Sequence, residues 1–207
     1  MMPLPEAAVS SALDEETARS ELYGLLAHVY YAQPASELIA NLRVAVTAAP
    51  APGAYLEASW CSLVGVARDL SDTQIAAEFD ALFGGVGKPE VYLYASHYLS
   101  GFLNEKPLAR LRTELDSLGL ARDEAMFETE DHFAYLCEVM RYLIAGEDVA
   151  VANLTRQQSF FATHMQPWVG QMCDAIQKHP KARFYAAVAE LTRAFMSVEA
   201  QGFDMLA

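Results

Sequence analysis

Apolar residues return at intervals of three and four along most of this chain, the period of an amphipathic helix. The densest instance lies between Glu128 and Gly146, ETEDHFAYLCEVMRYLIAG. There His132, Tyr135, Leu136, Val139, Met140 and Leu143 form one helical stripe, and Phe133, Cys137 and Ile144 widen it. Asp131, Ala134, Glu138, Arg141 and Ala145 are left for a polar strip. A helix apolar over more than half its circumference must touch neighbours on several sides, so this one is predicted to be central. Glu130 and Asp131 at its head suit the positive end of a helix dipole, with Thr129 as the expected N-cap.

The same period predicts the other elements. Residues 1–10 read as a tail. A first helix runs to about Tyr31 with Ala18, Leu22, Leu25, Leu26 and Val29 on one face, and a second spans roughly Glu37 to Thr47. Residues 48–53 form a Pro/Ala linker. A third helix, about Ala54 to Leu70, presents Leu56, Trp60, Leu63, Val64 and Ala67. Ser71-x-x-Gln74 is a capping box for a fourth, with Ile75, Phe79, Leu82 and Phe83 together. Residues 86–95 alternate like a strand but have no partner strand, so they are expected to be extended and unpaired. Helical pattern resumes near Ser96, and Pro107 opens a helix to about Leu118. The polar stretch 119–127 leads to the central helix. Three more follow: Val149–Met165 with Val151, Leu154, Gln158 and Phe161 on one side, a helix opened by Pro167, and one from about Lys181 to Glu199. The expected fold is all-α, a single body of about nine to ten helices over residues 11–207. Its predicted halves are an N-terminal one to about residue 120 and a C-terminal one from about 128, hinged at 119–127.

Composition narrows the function. Of 207 residues, 53% are hydrophobic, enough for a sizeable core. The net charge of −13 argues against nucleic-acid binding, which needs clustered Lys and Arg, and permits a basic partner. Three scattered cysteines without a CxxC read as reduced thiols in a cytoplasmic protein. The N-terminus lacks the basic start and apolar run of a signal peptide, and no apolar run is long enough to span a membrane.

No Glu-x-x-His or HExxH occurs, so neither a metal nor another cofactor is expected. No GxSxG is present, and neighbours such as Ser96 and His97 do not face each other on a helix. Gly84-Gly85-Val86-Gly87-Lys88 lacks the Ser or Thr and the preceding strand of a phosphate loop. Tyr92, Tyr94, Tyr98, Phe102 and Tyr135 supply either core or a groove for an apolar peptide helix. From the residues alone, His132 either fills the core or faces such a groove.

Four segments together resemble a known family. Phe79-Asp80-Ala81-Leu82-Phe83-Gly84-Gly85 resembles the aromatic-x-x-Leu-Phe-x-Gly motif of the redox-enzyme maturation chaperones, the TorD/DmsD/NarJ family. Glu128-Thr129-Glu130-Asp131-His132 is similar to that family's Glu-Pro-x-Asp-His motif, with Thr129 in place of the usual proline. Phe161-x-x-His164-x-x-Pro167-Trp168 and the Phe184-Tyr185 helix complete the set, and the resemblance covers roughly residues 18–200. It implies an all-helical cytoplasmic chaperone, not an enzyme. Such a chaperone binds the N-terminal leader, often a twin-arginine signal, and the apo-form of a molybdenum-cofactor oxidoreductase until the cofactor is inserted. It further implies client binding by Asp131 and His132, supported by Glu128. The candidate client-binding set is thus Glu128, Asp131, His132, Tyr92, Tyr94, Ser96, Tyr98, Phe102 and Tyr135. The protein is expected to be mostly monomeric, with a domain-swapped dimer fraction. The competing expectation is a small helical metal- or nucleotide-dependent enzyme.

Overall fold

A computed structural model describes residues 6–47, 55–84, 88–123 and 126–205. The Pro/Ala linker, the glycines at 85 and 87, and part of the 119–127 stretch lie outside them. Among the described residues ten helices follow one another: α1 (Glu6–Tyr31), α2 (Ser36–Val44), α3 (Glu57–Asp69), α4 (Asp72–Leu82), α5 (Ala95–Ser100), α6 (Lys106–Ser117), α7 (Phe133–Ala145), α8 (Leu154–His164), α9 (Val169–Lys178) and α10 (Phe184–Asp204). The fold is all-α, as its periodicity predicts.

The stretch from 128 to 146 is central. On α7, Phe133, Ala134, Tyr135, Leu136, Cys137, Met140, Leu143 and Ile144 are all buried. Its most extensive packing is on α1, with α8 on another side, while α10 packs on α9, α3 and α4. Tyr30 of α1 meets Phe133 edge-on at 5.1 Å between ring centroids. Burial pushes the Cys137 thiol well above its ordinary value, leaving it a small apolar filler. Gly146 ends α7, where a Cβ would come within 2.6 Å of the Tyr142 carbonyl oxygen.

The start of α7 differs from expectation. The helix begins at Phe133, and its N-cap is His132, whose ring Nδ1 accepts the Ala134 N–H at 3.2 Å. Thr129 is not the cap; its hydroxyl donates to the Asp131 carboxylate at 2.6 Å. No acidic residue lies in the first turn of α7. The physical reason is a competing partner. The extended segment before α5 pairs with this stretch in an isolated antiparallel bridge, Tyr94 to His132. Phe133 N–H donates to the Leu93 carbonyl at 2.8 Å, and Ala95 N–H to the Asp131 carbonyl at 3.0 Å. Among the described residues this segment is extended and joins no sheet, as expected, but it is not free of pairing, since the isolated bridge ties it to the start of α7.

Two buried faces are rotated from the predicted ones. On α1 the fully buried residues are Tyr23, Leu26, Ala27, Val29 and Tyr30, while Ala18 is exposed. The tyrosines are buried because their hydroxyls have partners: Tyr23 donates to Glu199 at 2.9 Å, and Tyr30 lies 3.2 Å from the Thr192 hydroxyl. On α8, which starts at Leu154 rather than Val149, Leu154 is exposed and Gln157 is buried, donating to the Leu143 carbonyl at 3.0 Å.

Buried charge ties the ends of the chain together. Arg19 donates to Glu199 at 2.7 and 2.8 Å, joining α1 to α10. Glu78 of α4 accepts the backbone N–H groups of Arg183, Phe184 and Tyr185 at 2.8, 3.0 and 2.7 Å, which satisfies the first turn of α10.

Candidate functional site

The bridge between the segment before α5 and the start of α7 gathers six of the nine predicted site residues: Tyr94, Glu128, Asp131 and His132, with Ser96 and Tyr135 at its margins. Asp131, only 1% exposed, accepts the Ser96 N–H at 2.9 Å, capping the short α5 from across the bridge. The Tyr94 hydroxyl donates to the Glu128 carboxylate. Burial first, and then that carboxylate, raise the Tyr94 phenol well above its ordinary value, so it stays a donor. The result is a clasp with backbone, carboxylate and phenol bonds on two adjoining segments.

His132, 4% exposed, sits inside the clasp. Tyr94 and Tyr31 approach it edge-on at 5.1 and 6.5 Å, and Tyr135 lies tilted to it at 5.9 Å. Burial lowers its pKa to about 4 against a smaller opposing pull from Asp131, so the imidazole is neutral near pH 7. Because Nδ1 accepts from Ala134, the neutral ring carries its proton on Nε2.

The remaining predicted residues fall elsewhere. Tyr98 donates to the Tyr92 carbonyl at 2.8 Å and stacks on the fully buried Trp168 at 5.5 Å. Tyr92 stacks on His97 at 4.1 Å. These two form a supporting layer under the extended segment. Phe102 stands apart on the α5–α6 turn, 72% exposed. Ser96, by contrast, belongs to the clasp through its N–H; it is fully buried, and its hydroxyl has no hydrogen-bond partner.

Beside the clasp runs a groove of about 1000 Å³ between α1, α2 and α7. Leu25, Tyr31, Leu38, Ala134 and Tyr135 give it an apolar lining, and Glu21, Glu138 and Arg141 stand along it. Glu138 is already paired with Arg141 at 2.9 Å, whereas Glu21 is exposed on the rim. Tyr135 is only 8% exposed, and burial, then the neighbouring Tyr31 hydroxyl, raise its phenol well above the ordinary value, so it stays a donor. Tyr31, Leu25, Leu38 and Glu21 were not legible as site residues. Tyr31 lies just off the buried face of α1, and only the crossing of α1 over α7 places its ring 5.7 Å from that of Tyr135. Among the described residues no group of three or more His, Cys, Asp and Glu is placed to hold a metal ion, and no helix is long and apolar enough to cross a membrane.

The chain is thus an all-helical body with a buried clasp beside an apolar groove. The model of the family described as nitrate reductase delta subunit matches residues 49–174, and the chain belongs to that family. It is also similar to a chaperone protein TorD of Aliivibrio fischeri, 29% identical over 140 residues. That alignment spans 64% of this chain and 65% of the relative, just under two thirds of its length. A chaperone protein TorD of Vibrio cholerae is 26% identical over 204 residues, covering 91% of this chain and 93% of the relative. One of Colwellia psychrerythraea is 23% identical, over 91% and 92% respectively. The matched family region takes in α3 to α8 and so includes the whole clasp.

Proposed function

We propose that this protein is a cytoplasmic chaperone for a molybdenum-cofactor oxidoreductase. It binds the N-terminal leader and apo-form of the catalytic subunit and delays export or assembly until the cofactor is inserted. The observation that carries this reading is the groove beside the clasp, with Tyr31 and Tyr135 side by side in an otherwise apolar wall. The family match and the TorD relatives support it.

A twin-arginine leader combines a basic head with an apolar stretch. The net charge of −13 draws the head in and speeds the encounter. The groove supplies the affinity, since apolar burial is worth about 25 cal/mol per Å² before association costs. Glu21 on the rim meets an arginine, an exposed pair worth about 0–1 kcal/mol. Tyr135 donates to a carbonyl of the bound peptide. Asp131 and Glu128 act by position: they hold residues 91–96 against the start of α7 and thereby fix His132 and Tyr135.

The test is calorimetry with synthetic twin-arginine leader peptides of molybdenum-cofactor oxidoreductases. Wild type binds such a leader. Tyr31→Ala and Tyr135→Phe weaken binding by about tenfold, or 1.4 kcal/mol. No heat of binding with wild type, or unchanged affinity in both variants, sinks the assignment of this groove.

A further inference from the structure

The corner between α5 and α6 has a character opposite to the rest of the molecule. Leu99, Phe102 and Leu103 are 42%, 72% and 42% exposed on one turn. Gly101, at φ 79°, lets the chain reverse there and present all three outward. Lys106 and Arg110, one helical turn apart on α6, stand exposed beside them. Neither has an ion-pair or hydrogen-bond partner among the described residues, unlike Arg112 and Arg122, which both turn to Glu130. A cleft of about 430 Å³ opens next to this corner between Leu99, Lys106, Pro107, Arg110 and Pro167. Asp131 lies at its inner end, but its two oxygens are already bonded to the Ser96 N–H and the Thr129 hydroxyl. Two further acids stand near: Glu105, exposed at the N-cap of α6, and Glu114, one turn from Arg110, whose carboxylate is bonded at 2.7 Å to His164 of the cleft wall.

We propose that this corner is a second docking surface, which takes an acidic, apolar segment on the body of the client's catalytic subunit. The inference rests on the chaperone reading above. Charge decides the occupant. Two unpaired cations repel the basic head of a leader, so this surface and the groove by Tyr135 select different parts of one client. An anionic bilayer would also attract Lys106 and Arg110, but it repels a body of net charge −13. A protein segment presents its carboxylates locally, and its apolar side chains cover Phe102 and enter the cleft. Phe102 is the aromatic anchor, the residue type enriched at the centre of interfaces.

The test uses the full-length protein, the Lys106→Glu/Arg110→Glu double variant and Phe102→Ser. Each is titrated against the leaderless apo-catalytic subunit and, separately, against the leader peptide. All three substituted residues are exposed, so circular dichroism should be unchanged. Wild type binds the leaderless subunit with an affinity that falls as salt rises. The double variant binds about tenfold more weakly with a flatter salt dependence, and Phe102→Ser also binds more weakly, while leader-peptide affinity stays at the wild-type value in both. Equal binding of the leaderless subunit by all three proteins overturns the inference. So does a wild type that binds the leader peptide and not the leaderless subunit, or one that binds phosphatidylglycerol vesicles through these residues instead. If wild type binds neither part of the client, the chaperone reading itself fails.

Discussion

The carboxylate of Asp131 accepts the backbone N–H of Ser96 at 2.9 Å across 35 residues of sequence. That one bond joins the element before α7 to the element before α6, and it makes Asp131 a positioning residue. The side chain that the family motif implicates in client binding does its structural work on a neighbouring helix.

Replacing Asp131 with alanine should therefore cost stability as well as affinity. A buried hydrogen bond to a charged group is worth about 1.5–3 kcal/mol, and the Thr129 hydroxyl would lose its acceptor too. The urea midpoint should fall, and leader-peptide binding should weaken with it because Tyr94 and His132 are no longer held. Asp131→Asn, which keeps an acceptor oxygen, should recover part of both. A variant with an unshifted midpoint and much weaker binding would mean that Asp131 touches the client directly.

Glu78 offers a cleaner test of the scaffold. Its carboxylate accepts three backbone N–H groups at the start of α10. Glu78→Ala should destabilise by about 3 kcal/mol, since unsatisfied buried donors cost about 1–3 kcal/mol each and water can reach some of this turn. Leader-peptide affinity of the folded fraction should not change. Parallel urea titration and calorimetry measure the two effects; a midpoint within error of wild type refutes the capping role.

His132 predicts an acid sensitivity. Its folded pKa of about 4 lies below the ordinary value of 6.5 because burial disfavours the imidazolium. Between those values the unfolded chain binds a proton that the folded chain does not. Stability is thus fully present above about pH 6.5 and declines as pH falls toward 4, by up to about 3 kcal/mol from this residue. His132→Asn keeps an N-cap acceptor for Ala134 but cannot titrate. Subtracting its stability-versus-pH curve from that of wild type isolates the histidine. A flat difference between pH 7 and 4 would mean that His132 is solvated.

The stretch 119–127 remains the proposed hinge. Arg122 donates to the carbonyls of Met126 and Glu128, and Phe127 is 93% exposed. Trypsin and chymotrypsin should cut first at these two residues, and size-exclusion chromatography should show mostly monomer with a slowly exchanging dimer fraction. Earlier cuts elsewhere, with this stretch intact, would move the hinge.

By itself the sequence determined the helical class and the central place of residues 128–146. Apolar spacing reports which residues leave water, and that is a local property. The capping box Ser71-x-x-Gln74 was legible for the same reason, because both of its bonds close within one turn. Tertiary structure decided the start of α7. Glu130 and Asp131 satisfy every local rule for a helix N-terminus, but Leu93 and Ser96 compete for the same backbone and carboxylate groups. It also decided which face of α1 is buried, since Tyr23 and Tyr30 can leave water only where Glu199 and Thr192 receive their hydroxyls. The groove was invisible for a related reason. Tyr31, Leu38 and Tyr135 come from three helices, and no periodicity within one helix records how it crosses the next.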